Sequence, residues 1–208
     1  MDIGILLQGL LLGFSIAAPV GPIGVLCIRR TLSDGRAHGL ISGLGAASAD
    51  AVYGCIAAFG LTWVSGFLVQ QQVWMRLAGG VFLLYLGIKT LLAKPSDKSA
   101  EAAGRGLMGA YGSTFLLTLT NPMTILSFTA VFAGLGLASA GGGYGSAGLL
   151  VMGVFAGSAL WWFLLSGGIS LLRGRATERV LLWVNRVSGL IITAFGIAAL
   201  FSVLQGGV

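Results

Sequence analysis

The sequence predicts an all-α, polytopic membrane protein with six transmembrane helices arranged as a 3+3 inverted repeat. Three observations carry that prediction. Of the 208 residues, 56% are hydrophobic and 9% are charged, whereas about a quarter of a soluble domain is charged. The apolar residues fall in long runs, and about 20 residues at 1.5 Å rise cross a hydrocarbon core. The two halves of the chain also repeat one another.

Six runs are long enough: residues 5–28, 39–61, 73–93, 107–133, 148–170 and 183–204. The first opens with Met1-Asp2-Ile3-Gly4 and has no basic leading region. It therefore reads as a retained helix and not a cleaved signal. The connections after the first and second runs are short. The polar stretch Lys94 to Gly106 is expected to link a first repeat, 1–93, to a second, 107–208, within one membrane domain. A charge-free, glycine-rich stretch, Gly134 to Gly148, is expected to join the fourth and fifth spans. No length is left for a sizeable soluble domain.

The net charge of +6 could suggest nucleic acid, but its distribution argues against that partner. Arg29, Arg30 and Arg36 follow the first run. Lys89, Lys94, Lys98 and Arg105 follow the third, and Arg173, Arg175, Arg179 and Arg186 follow the fifth. With alternating spans all of these lie on one side, leaving only Arg76 for the other. An asymmetry of that size marks the basic side as cytoplasmic. Both termini are then predicted on the outer side. Setting topology accounts for the basic loops, so membrane lipid is expected as surroundings and no specific lipid site is drawn from them.

In the repeat, Trp74-x5-Gly80-x6-Gly87 recurs as Trp183-x5-Gly189-x6-Gly196. Gly43 and Ser48-Ala49 recur as Gly153 and Ser158-Ala159, and Pro22 corresponds to Pro122. The spacing between the copies widens across the Gly134–Gly148 stretch, where insertions belong. Three spans per half is an odd number, so the second half sits upside down relative to the first. Asp50 corresponds to Leu160, so one half alone carries the charge.

Asp50 is the only charged side chain from Gly39 to Leu61. A carboxylate at mid-membrane costs roughly 2.5–3.5 kcal/mol even on lenient scales, which marks it as a functional candidate. Two proline breaks share its depth: Pro19, Gly21 and Pro22 in the first run, and Asn121-Pro122 in the fourth. Each proline frees backbone groups that lipid cannot satisfy. Half-helix N-termini suit a carboxylate and unwound carbonyls suit an ammonium. Asp50 adds a negative charge, so the set matches a zwitterion, of which amino acids are the obvious small examples. Tyr53 lies one turn from Asp50 and joins the candidate set, with packing as the plainer reading for it and for Trp161 and Trp162. Asn121 also reads as a cap for the second half of its helix.

Several features are read as structural. Cys27 and Cys55 form no metal or redox spacing and act as small hydrophobes. Gly-x-x-x-Gly, as at Gly153 and Gly157, is no more frequent than 35 glycines produce by chance, so no dimer interface is drawn from it. Monomer and homodimer both remain open. His38, beside Arg36 in a loop, is expected to be solvated. No P-loop, HExxH or nucleophile elbow is present, so no enzyme is expected, no cofactor and no metal centre.

Gly13-Phe14 to Gly24 with its Ala18-Pro19-Val20-Gly21-Pro22 core, Gly43 to Asp50, Tyr85-Leu86-Gly87 and Asn121-Pro122 resemble the LysE/RhtB amino-acid exporters over nearly the whole chain. The family's usual Pro-Gly-Pro stands here with one residue inserted, as Pro19-Val20-Gly21-Pro22. The resemblance implies export of an amino acid or close derivative, driven by a proton or other cation gradient, with the family's acidic second-span residue at Asp50. Two rival readings use a similar scaffold. A metal-cation exporter is weakened by a single carboxylate without a histidine cluster. A thiol–disulfide conduit is weakened because the fourth run has no cysteine.

Overall fold

The computed structural model describes residues 3–19, 21–58, 70–92, 102–121, 124, 125, 127, 128, 144–173 and 177–205. Seven helices run through them: α1 (Ile3–Ala17), α2 (Pro22–Ser33), α3 (Arg36–Ala58), α4 (Gln72–Leu91), α5 (Ala102–Leu119), α6 (Tyr144–Arg173) and α7 (Glu178–Gln205). No strand occurs among the described residues. The all-α membrane class is as expected. Helices α3, α4, α6 and α7 are each long and apolar enough to cross a bilayer.

The first expected span is two helices that meet at 82°. The break follows from the prolines. The Ala18 N–H still reaches the Phe14 carbonyl at 3.0 Å, but Pro19 has no N–H to continue the ladder. The Gly21 N–H turns back to the Pro19 carbonyl at 3.0 Å. Gly21 then caps α2: its carbonyl accepts from the Val25 N–H at 3.1 Å, and Pro22 sits in the first turn, where a missing N–H costs nothing. At the far end of α2 the N–H groups of Asp34 and Gly35 both reach the Arg30 carbonyl. Gly35 has φ 105°, the left-handed stop that glycine provides. Helix α3 starts at the next residue.

Elsewhere the expected boundaries shift. Helix α5 begins at Ala102 and α6 at Tyr144, so the ends of both expected connections are helical. Of the expected fourth span, Gly106–Leu119 forms a short apolar helix. Pro122 and most of the residues beyond it lie outside the described residues.

The helices pack in a pattern of exchanged pairs. Helix α1 lies along α6, and α3 lies along α5. Both pairs are parallel, since Gly9 and Gly13 meet Leu150 and Val154, while Gly45 and Tyr53 meet Tyr111 and Leu119. Helices α3 and α6 cross antiparallel, as do α4 and α7. In the last pair Gly80 meets Gly196 and Gly87 faces Gly189, the same residues that mark the repeat. Swapping the first half for the second turns α1·α6 into α5·α3 and leaves the other two pairs in place.

Glycine sets these close approaches. A Cβ on Gly13 would fall on the Val154 carbonyl, and one on Gly157 on the Leu10 carbonyl. The Gly-x-x-x-Gly pairs at Gly9/Gly13 and Gly153/Gly157 therefore form an interface within one chain. Frequency counting, which gives no reason to draw a dimer interface from these glycines, cannot see that two such pairs face each other within the chain. Without a hydrophobic drive in lipid, such small-residue contacts supply the packing. The outer faces carry exposed Val81, Tyr85, Leu190, Ile197 and Phe201, as a lipid-facing surface requires. The repeat tryptophans Trp74 and Trp183 are also exposed, where indoles anchor at an interface.

Candidate functional site

Asp50 lies on α3 at a boundary between two apolar clusters. One holds Ala46, Ala47, Ile23, Leu117 and Trp162; the other holds Tyr53, Ile125, Phe128 and Val154. Each interrupted segment passes from one cluster to the other at this level. On the first, Leu12 and Ile16 pack with the second cluster and Ile23 with the first. On the fourth, Leu117 packs with the first cluster and Ile125 with the second. The carboxylate and both helix breaks thus share one layer of the bundle.

Asp50 is 3% exposed. Ser158 on α6 donates to its Oδ2 at 2.7 Å, and Trp162 Nε1 donates to Ser158 Oγ at 3.2 Å. This donor chain aims at the carboxylate, yet it is neutral throughout. No cationic side chain among the described residues pairs with Asp50. A charged carboxylate in a dry interior is costly unless paired. A proton or an ammonium group would remove that cost. Gly43 makes room for the chain, because a Cβ there would fall on the Trp162 side chain.

Tyr53 turns toward the second break. Its hydroxyl donates to the Leu119 carbonyl at 2.5 Å, and its ring stacks on Phe128 with centroids 5.4 Å apart. Leu119 ends α5, where the last carbonyls of a helix need partners from outside it. Tyr53→Phe removes this bond and should cost about 1 kcal/mol. A lowered midpoint of thermal unfolding in detergent checks this, and an unchanged midpoint would remove Tyr53 from the support of the break.

Asn121 is half-buried and caps the turn beyond the break. Its N–H donates to the Thr118 carbonyl at 3.2 Å, and its carbonyl accepts from Thr124 at 3.1 Å and Ile125 at 3.2 Å. Pro19 is exposed, while Gly21 and Pro22 are half-buried. Gly21 has φ −101° and open space where a Cβ would point. Gly21→Ser adds a capping oxygen, so stability should hold or rise by a few tenths of a kcal/mol. If the open space is transport path, the same variant lowers efflux; unchanged efflux would place Gly21 outside the path. Pro122 lies outside the described residues.

Ser158 and Trp162 were not singled out as partners of Asp50 from sequence. Inverted middle spans are expected to cross antiparallel, but the register that sets Ser158 opposite Asp50 is visible only in the structure. Arg30 was also misread. It is buried, not displayed in a loop, and it bonds residues of α3 and α5. Arg29 likewise turns inward, donating to Asn185 of α7 at 3.1 Å. His38 is half-buried at the start of α3, and its Nε2 is buried without a hydrogen-bond partner. It lies against Gly106, which corrects the expectation of a solvated ring. Cys27 is sealed in the first cluster, Cys55 is half-buried, and both are free thiols.

The fold and this layer define a polytopic helical membrane protein with a buried carboxylate at interrupted helices, an arrangement found in secondary transporters. The chain belongs to the LysE type translocator family, which it matches over residues 14–202. It is 30% identical over 197 residues to a Bacillus subtilis protein named "Putative amino acid efflux protein YcgF", covering 92% of this chain and 93% of that one. It is 27% identical over 202 residues to the "Chemotactic transduction protein ChpE" of Pseudomonas aeruginosa, covering 95% of this chain and 97% of that one. A Synechocystis membrane protein without an assigned function is 29% identical over 115 residues, 54% of this chain and 56% of that one. No solved structure matches the chain.

Proposed function

We propose that this translocator is a secondary active exporter of an amino acid or close derivative across the bacterial inner membrane, driven by the proton gradient. The observation that carries the reading is Asp50, buried without a cation at the layer where both helices break. The name borne by the Bacillus relative supports the cargo class. Asp50 either accepts the coupling proton or holds the substrate's ammonium group. The helix termini and carbonyls around Pro19, Gly21, Pro22, Asn121 and Pro122 supply the remaining polar contacts, with Tyr53 fixing the second break.

The exchanged helix pairs support two inverted three-helix repeats, 1–93 and 107–208, joined by 94–106. Alternating access then rocks one half against the other, with the two apolar clusters closing above and below the Asp50 layer in turn. The asymmetry of the basic residues supports both termini on the periplasmic side. One charge crossing about 100 mV supplies roughly 2.3 kcal/mol, nearly fifty-fold accumulation, so one proton suffices for useful export.

The test is efflux from cells lacking or overproducing the protein, loaded with dipeptides. The free amino acids appearing in the medium are followed with and without an uncoupler. Faster, uncoupler-sensitive release of one class of amino acid is the expected result. Equal release of every amino acid from both strains would sink the proposal.

A further inference from the structure

We infer that Arg30 is a carboxylate-recognition group of the transport pathway, held by neutral oxygens until the carboxylate of the substrate replaces them. The inference rests on the exporter reading above.

Arg30 is 9% exposed, and every hydrogen bond it makes among the described residues ends on an uncharged oxygen. Its Nη1 donates to Ser42 Oγ at 2.8 Å, Thr114 Oγ1 at 2.9 Å and the Ala110 carbonyl at 3.0 Å. Its Nη2 donates to Ser113 Oγ at 2.8 Å. Asp34, the residue that caps the end of α2, is exposed; it acts on the Arg30 guanidinium through space but makes no hydrogen bond to that group among the described residues, and Asp50 is bonded to Ser158. A buried guanidinium whose hydrogen bonds all end on neutral oxygens keeps much of the cost of burying its charge. A topology signal needs only a solvated arginine in a loop, so that role leaves the burial unexplained.

The cradle is made so that the arginine can leave it. Ser113 Oγ also donates to the Gly109 carbonyl at 2.5 Å, and Thr114 Oγ1 to the Ala110 carbonyl at 2.8 Å. Those two hydroxyls stay satisfied on their own helix when Arg30 departs. The guanidinium and the Ser42 hydroxyl then need new partners. A carboxylate is a stronger one than a hydroxyl, because it accepts two charge-assisted bonds from the planar fork.

Its place in the fold fits a pathway. Arg30 sits on α2, the half-helix that begins at the Gly21 cap. Its partner Ser42 shares α3 with Asp50, eight residues and therefore about 12 Å along the axis from it. The two opposite charges are too far apart to pair and lie at successive levels of one bundle. A zwitterion moving between them would meet Arg30 through its carboxylate and Asp50 through its ammonium. Departure of Arg30 from Ser42, Ser113 and Thr114 also removes the hydrogen bonds that tie α2 to α3 and α5 at this point, which links carboxylate capture to the seating of the broken helix.

The test uses the full-length protein in proteoliposomes loaded with labelled leucine, threonine and lysine and, separately, with the amides of the same three. Wild type is expected to export at least one acid form faster than its amide. Arg30→Gln should lower the acid-to-amide ratio about tenfold or more, the effect of losing a charge-assisted bond, while amide efflux persists. Ser113→Ala weakens the competing cradle and should raise affinity for the acid form, which a purely structural arginine would not produce. Arg30→Lys retains the charge and should keep part of the ratio; it serves if Arg30→Gln does not fold. An unchanged ratio in both arginine variants, or equal loss of acid and amide, overturns the inference. If wild type moves neither form faster than empty liposomes, the exporter reading itself fails.

Discussion

Asp50→Asn should abolish gradient-driven export while the protein still inserts and folds. Asparagine keeps the size of the side chain and can still accept from Ser158, so the local packing survives. It cannot bind a transported proton, and it offers an ammonium no charge. Either role assigned to Asp50 therefore predicts loss of accumulation, by about fifty-fold per 100 mV if one proton drives one substrate. The two roles separate in exchange without a gradient. If Asp50 carries only the proton, exchange of labelled for unlabelled substrate persists in the variant. If Asp50 holds the ammonium, exchange is lost as well. Gradient-driven export at the wild-type rate would remove Asp50 from the mechanism.

Gly13→Leu should be the most damaging substitution for the fold. A Cβ at Gly13 already falls on the Val154 carbonyl, so a leucine must push α1 away from α6 along its length. The obstacle is backbone and cannot rotate aside. Overpacking of this kind costs about 3 kcal/mol or more. The expected result is a large fall in the unfolding midpoint in detergent and little protein in the membrane. Gly109→Ala is the matched control: open space lies where its Cβ would point, so its midpoint should not fall. Equal behaviour of the two variants would contradict the α1·α6 packing.

Much of this architecture is legible in the sequence because the bilayer limits the alternatives. Long uncharged runs must be helices when no water is present to satisfy the backbone. Prolines at 19 and 22 cannot continue a ladder, so the break in the first span follows from covalent structure. Asp50 stands out because a carboxylate among apolar residues is costly wherever it points. The repeat glycines Gly80, Gly87, Gly189 and Gly196 are visible by spacing, and they meet one another across the α4·α7 pair.

What stayed hidden depends on which faces meet. Ser158 appears in the sequence as the repeat mate of Ser48; only the antiparallel crossing of α3 and α6 turns it toward Asp50. Gly9 and Gly13 carry no signal until α1 lies parallel to Gly153 and Gly157. Arg30 misled most, because an arginine after an apolar run reads as a loop charge. The turn at Gly35 reverses the chain and folds that stretch of α2 into the bundle, where Ser42, Ser113 and Thr114 surround the guanidinium.

The central claim is that a gradient drives an amino acid outward through the Asp50 layer. The most direct test is reconstitution of wild type and Asp50→Asn into liposomes with an imposed pH gradient, following labelled amino acids and internal pH together. Wild type is expected to accumulate one class of amino acid against its gradient with a matching proton flux, and the variant to show neither. Amino-acid accumulation by wild type without proton movement, or undiminished coupled transport by the variant, would contradict it.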